Sequence, residues 1–129
     1  MTIVVCETCR EATTDAQTAI SEQIRPGSAL AASTEAAATD ASGVVVRRVN
    51  CLSNCKRGLS AAILGPTQWT YVFGDLKADS GADLVVGALL LANSDDGLMP
   101  FRPRPEALKR GMIARIPNYK NLLASKEAP

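Results

Sequence analysis

Four cysteines held in two close pairs constrain this chain more than any other feature. Cys6 and Cys9 follow the run Thr2-Ile3-Val4-Val5, and Cys51 and Cys55 follow Val44-Val45-Val46-Arg47-Arg48-Val49. Short apolar, β-branched runs of this kind are those of buried strands. Each pair therefore lies where a strand ends. Neighbouring strands that run the same way bring such ends together and can form one four-thiolate site. The second pair leads into Lys56-Arg57-Gly58, two cations followed by a residue that lets the backbone turn or approach a ligand closely.

At 129 residues the chain fits a single domain with a modest core. Aromatic residues make up only 4%, so that core must be aliphatic, with Trp69, Tyr71 and Phe73 grouped on one strand face. The chain has no histidine, which excludes Cys/His zinc fingers and any Ser-His or Cys-His catalytic arrangement. No catalytic residue is expected. The opening residues lack the basic and long apolar regions of a secretory signal. The longest apolar stretch, residues 84–92, falls far short of the roughly 20 residues a membrane span needs. The expectation is a soluble, cytoplasmic protein without membrane contact. In a reducing compartment, paired cysteines serve metal or redox chemistry more often than structural disulfides.

Along the chain, residues 2–5 read as a first strand, and residues 11–26 are polar and weakly patterned up to the Pro26-Gly27 break. Ser28 caps an alanine-rich helix running to about Ala38, with Gly43 as a stop. Residues 44–49 form the second strand, parallel to the first through the helical crossover. Residues 60–64 and 68–73, separated by Gly65-Pro66-Thr67, read as a hairpin. The clearest helix spans residues 80–93, with Ser80 and Asp83 placed as a capping box. A short helix over 105–110 follows, closed by Gly111. The order is β-α-β-β-β-α, a thioredoxin-like α/β plan with a mixed four-stranded sheet. Residues 1–98 make the domain, and residues 99–129 a basic, proline-rich C-terminal extension packed on it.

Four thiolates can hold a [2Fe–2S] cluster or one tetrahedral zinc. The 41 residues between the pairs exceed the spacers of common zinc ribbons. Cys6 and Cys9 after the first strand also stand where a thiol–disulfide motif would, although that leaves Cys51 and Cys55 without a role. Plain buried thiols are the remaining reading.

The strand-end cysteines and the element order resemble the thioredoxin-like [2Fe–2S] ferredoxins. More closely, Cys6-Glu7-Thr8-Cys9-Arg10, Cys51-Leu52-Ser53-Asn54-Cys55-Lys56-Arg57-Gly58, Trp69-Thr70-Tyr71-Val72-Phe73-Gly74-Asp75 and Arg102-Pro103-Arg104-Pro105-Glu106 resemble a bacterial family of predicted metal-binding proteins. Some of its members accompany cobalamin biosynthesis. The likeness runs from residue 3 to about residue 117. It implies a [2Fe–2S] cluster on Cys6, Cys9, Cys51 and Cys55, single-electron transfer to a redox partner protein in cobalamin or tetrapyrrole metabolism, and a homodimer. One departure stands out: the thioredoxin-like ferredoxins space their first two cysteines further apart, and only two residues separate Cys6 from Cys9. Positive charge at Arg10, Lys56 and Arg57 would favour the reduced state of such a cluster. A zinc-stabilised interaction module, or a thiol–disulfide oxidoreductase using Cys6 and Cys9, are the rival functions.

Asp75, Asp79, Asp83, Asp95 and Asp96 fit helix capping and turns better than a hard-metal site. Charge is uneven. Residues 1–98 carry seven basic and eleven acidic side chains, residues 99–129 seven and two. The basic extension, with Arg102, Arg104, Lys109, Arg110, Arg115 and Lys120, is expected to pack on its own subunit through Met112, Ile113 and Ile116, with an acidic partner as the alternative. Nucleic acid fits poorly, for want of a recognisable binding module.

Overall fold

The computed structural model describes residues 1–7, 26–41, 43–52, 57–119 and 122. Its elements are β1 (Thr2–Cys6), α1 (Pro26–Ala38), β2 (Val45–Val49), β3 (Ala61–Leu64), β4 (Thr70–Phe73), α2 (Gly81–Ala92), α3 (Glu106–Arg110) and β5 (Met112–Ile116). The five strands form one mixed sheet in the order β2-β1-β3-β4-β5. β1 pairs parallel with β2 and antiparallel with β3, and β3–β4 and β4–β5 are antiparallel. Among the described residues no helix is long and apolar enough to cross a membrane.

Alternation along the strands fixes the core face. Ile3 and Val5 lie opposite Ile63 and Ala61, which lie opposite Tyr71 and Phe73. All six side chains are fully buried. α1 and α2 pack against each other and against β1, over this face. α1 contributes Leu30, Ala31 and Thr34, and α2 contributes Leu84, Ala88 and Leu91. The rings of Tyr71 and Phe73 stack with centroids 6.2 Å apart. Trp69 is only half-buried, with the Arg115 guanidinium 5.1 Å from its ring. Two of the three aromatics are therefore core, and the third is a lid at its rim.

The Tyr71 hydroxyl accepts a hydrogen bond from the Met99 N–H at 2.9 Å. Tyr71→Phe removes that acceptor and leaves a buried amide unpaired, a loss of about 1–3 kcal/mol. Chemical denaturation checks this, and a variant as stable as the parent would contradict it.

Three expectations need correction. The sheet has five strands rather than four, because residues 112–116 pair with β4 as an edge strand. The run Met112-Ile113-Ala114-Arg115-Ile116 has no clean two-residue alternation, so only the pairing with β4 defines it. α1 starts at Pro26 rather than after Ser28. A proline is tolerated in the first turn because its missing N–H has no helical partner there.

Nor does Ser80 form a capping box. Its backbone (φ −77°, ψ 3°) is not extended, and its side chain makes no cap hydrogen bond. The hydroxyl instead accepts from the Lys77 N–H at 3.0 Å, while the Gly81 N–H donates to the Ser33 Oγ of α1 at 3.2 Å. One helix thus caps the other. Their approach is close enough that a Cβ on Gly81 would overlap the Ser33 and Thr34 backbone.

The extension packs inward at Met99, Arg104 and Leu108, whereas Phe101, Tyr119 and the expected anchor Ile116 are exposed. Arg104 is 7% exposed and donates from Nη2 to the Met99 carbonyl at 2.7 Å, with its guanidinium 5.5 Å from the Tyr71 ring. Burial lowers its pKa from the usual arginine range, partly offset by Tyr71. Lys109 lies 5.1 Å from the Phe101 ring, and Arg110 pairs with Glu106 within α3. Arg102 is exposed, and Lys120 lies outside the described residues.

Candidate metal centre

The site is set by a parallel pairing. In the β1–β2 register Cys6 stands opposite Val49, so both strands end at the same edge of the sheet. The Glu7 N–H donates to the Val49 carbonyl at 2.9 Å and prolongs the pairing past the strand ends. Cys51 follows Val49 by two residues and is exposed, whereas Cys6 is 2% exposed. The Cys6 Sγ lies 3.7 Å from the Asn50 carbonyl, and its N–H donates to the Ser60 carbonyl at 3.1 Å. Cys6 is thus held from both sides, by the turn after β2 and by the entry to β3. Cys9 and Cys55 lie outside the described residues, as do Arg10 and Lys56.

Antiparallel pairing carries the same edge across the rest of the sheet. β3 begins there, β4 ends there at Phe73, and β5 starts there at Met112. Just past β4, the Asp75 N–H donates to the Arg57 carbonyl at 2.6 Å, and Leu76 and Leu59 exchange backbone hydrogen bonds at 3.1 and 3.5 Å. The Arg57 guanidinium donates to Asp75 Oδ2 from Nε at 2.8 Å and from Nη2 at 2.7 Å. Arg57 is therefore not a bare cation at this end of the sheet, because its charge is paired with the Asp75 carboxylate.

A second network meets the edge from α1. Arg48 binds Glu35 through two hydrogen bonds, at 2.7 and 3.0 Å, and approaches Glu7 at 3.6 Å and the Ser28 hydroxyl at 3.3 Å. This ties the residue after Cys6 to β2 and α1. The Glu35 carboxyl is held below the usual carboxylate range, first by the Arg48 hydrogen bond, against a smaller desolvation effect. With its folded pKa depressed, Glu35 adds its share of stability above the ordinary glutamate pKa and loses it as pH falls through the lowered value. The pair is exposed, so that share is small. A carbon-detected NMR titration should place Glu35 below free glutamate in the parent chain and at the ordinary value in Arg48→Ala. A Glu35 midpoint unmoved by that substitution would contradict the assignment.

Sequence reasoning did not single out Arg48, Glu35 or Asp75 as parts of this edge. Arg48 carried a signal, since it precedes Cys51 by three residues in a strand that ends at the site. In sequence Asp75 reads as a capping or turn residue. Asp83 sits in the first turn of α2, and Asp96 accepts from the Leu98 N–H at 3.0 Å, as capping and turn residues do. Among the described residues no three acidic or thiol side chains come together as a metal-binding group.

The chemistry of the donor set fits a thiophilic centre. The chain offers thiols and no imidazole, and its two described cysteines stand at one edge, one buried and one exposed. Residues 3–118 match the family described as Protein of unknown function (DUF1636). No curated protein and no solved structure matches the chain.

Proposed function

The chain belongs to the DUF1636 family, and from the placement of its cysteines we propose that it is a small single-electron carrier. In this reading Cys6, Cys9, Cys51 and Cys55 hold a [2Fe–2S] cluster that serves a redox partner protein, in cobalamin or tetrapyrrole metabolism. The observation that carries it is the parallel β1–β2 register, which sets Cys6 and Cys51 at one edge although they are far apart in sequence. The strand order β2-β1-β3-β4, with α1 and α2 over one face, supports a thioredoxin-like domain to which β5 is an added edge strand.

A [2Fe–2S] cluster supplies reversible one-electron chemistry. The protein's part is to hold four thiolates and to control their surroundings. Cys6, buried between Asn50 and Ser60, excludes water from the inner side. Cys51, exposed, marks the side from which a partner approaches. The ion pairs of Arg57 with Asp75 and of Arg48 with Glu35 and Glu7 keep the local charge balanced, so that the thiolates remain the main source of charge at the edge.

Purification without oxygen, followed by an absorption spectrum and iron, sulfide and zinc analysis, tests the reading. Visible bands with about two irons and two sulfides per chain are expected. Zinc without colour would replace it with a zinc-stabilised interaction module. Protein free of both metals would leave thiol–disulfide chemistry at Cys6 and Cys9.

A further inference from the structure

Asp75 stands out among the residues of the site edge. It is the one non-glycine residue with positive φ (+54°) among those described, a conformation that costs an L-residue energy and that aspartate tolerates better than most. It lies well beyond the last cysteine in sequence, yet it engages Arg57 twice. Its N–H donates to the Arg57 carbonyl at 2.6 Å, and its carboxylate takes both Nε and Nη2. The left-handed backbone directs both groups of one residue at one partner. Leu76 and Leu59 continue the contact, and Ser60 passes it to Cys6 through the Cys6 N–H.

Residues 50–52 follow β2 beside Cys6, and residues 57–60 lead into β3 at Ala61. The first stretch is fixed by the β1–β2 pairing, and the second by Asp75. We propose that Asp75 is a positioning residue for the second cysteine pair, clamping the exit of the cysteine segment through Arg57. The proposal rests on the metal-centre reading above, and it assigns to an acidic residue the task of fixing Arg57, two residues beyond Cys55 in the chain. Exposed ion pairs contribute little to global stability, so the effect of this clamp is local. Outer-shell partners of metal ligands commonly change metal retention far more than they change folding.

The test compares the parent chain, as purified, with Asp75→Gly, Asp75→Asn, Arg57→Ala and the Asp75→Gly/Arg57→Ala pair. Two readouts are taken: the rate of iron or zinc loss to a chelator, and hydrogen exchange of the metal-free protein. Asp75→Gly accepts the positive φ but lacks the carboxylate, so it isolates the side chain. It and Arg57→Ala should each speed metal loss about tenfold. The double variant should be no faster than either, because both remove one clamp. Asp75→Asn, which keeps an acceptor and tolerates the backbone, should stay nearer the parent. Exchange should rise across residues 51–58 and remain unchanged in α2 and β3.

Metal loss at the parental rate in both single variants overturns the proposal, as does additivity in the double variant. A uniform rise in exchange across the chain also overturns it, since that marks a general loss of stability. If the parent carries no metal, the cofactor reading fails by itself. Exchange then decides the clamp: a rise confined to residues 51–58 upholds it, and an unchanged pattern overturns it.

Discussion

Cys51→Ser is expected to abolish the visible absorption of the anaerobically purified protein and to leave the fold intact. The two effects separate because Cys51 is exposed and lies outside every strand and helix. Serine is nearly isosteric, so the core loses no packing. Its hydroxyl stays protonated near neutral pH, however, and offers a hard oxygen where the proposed cluster would take a soft thiolate. Cys55→Ser should behave in the same way. Cys6→Ser should also lose the chromophore but is a less clean test, since Cys6 is 2% exposed and packs within the core. Spectra recorded beside circular-dichroism melts would check all three. A parental spectrum in both Cys51→Ser and Cys55→Ser would remove these residues from the ligand set.

Gly81→Ala should be strongly destabilising although it lies outside the site. Helix propensity alone favours alanine over glycine by about 1 kcal/mol. Packing opposes it and wins, because two of the three atoms that the new methyl would meet are backbone atoms of Ser33 and Thr34. Neither can rotate away, so α1 must shift and break the hydrogen bond from the Gly81 N–H to Ser33 Oγ. A loss of about 3 kcal/mol follows, equivalent to a fall in Tm of roughly 10 °C for a domain of this size. Gly87→Ala should cost less, since its nearest neighbour is the tip of the Leu108 side chain, which can turn aside. Thermal melts would decide. A Gly81→Ala protein as stable as the parent would mean that the two helices are not in this contact.

The parts of the fold that were readable in advance are those written in local pattern. The valine-rich runs before each cysteine pair became β1 and β2, and the strand-helix-strand order predicted their parallel pairing. The apolar face read as Leu84, Val85, Ala88, Leu89 and Ala92 announced α2, although Leu91 is buried where Leu89 and Ala92 are exposed. What escaped depends on contacts between distant segments. β5 is a strand because β4 offers it an edge. Ser33 caps α2 from another helix, and no pattern around Ser80 could reveal that. The same holds at the site. The cysteines mark the edge in sequence, but Arg48, Glu35 and Asp75 join it only once the sheet is assembled, because each acts through a partner from another element. In the basic extension Arg104 is buried although Ile116, expected as an apolar anchor, is exposed, and the pairing of residues 112–116 with β4 again depends on a distant segment.

The position of β1 also sets a timetable. It precedes β2 and β3 in the chain, yet it lies between them, and the contact of Cys6 with Asn50 spans 44 residues. At a synthesis rate of about 5–20 residues per second, the first cysteine pair waits several seconds for the second to emerge. Through that interval the chain can offer an ion two thiols at most, with no sheet to orient them. Any ion shared by both pairs can therefore be bound only after the second pair has been made, so its capture follows the synthesis of β2 rather than that of β1.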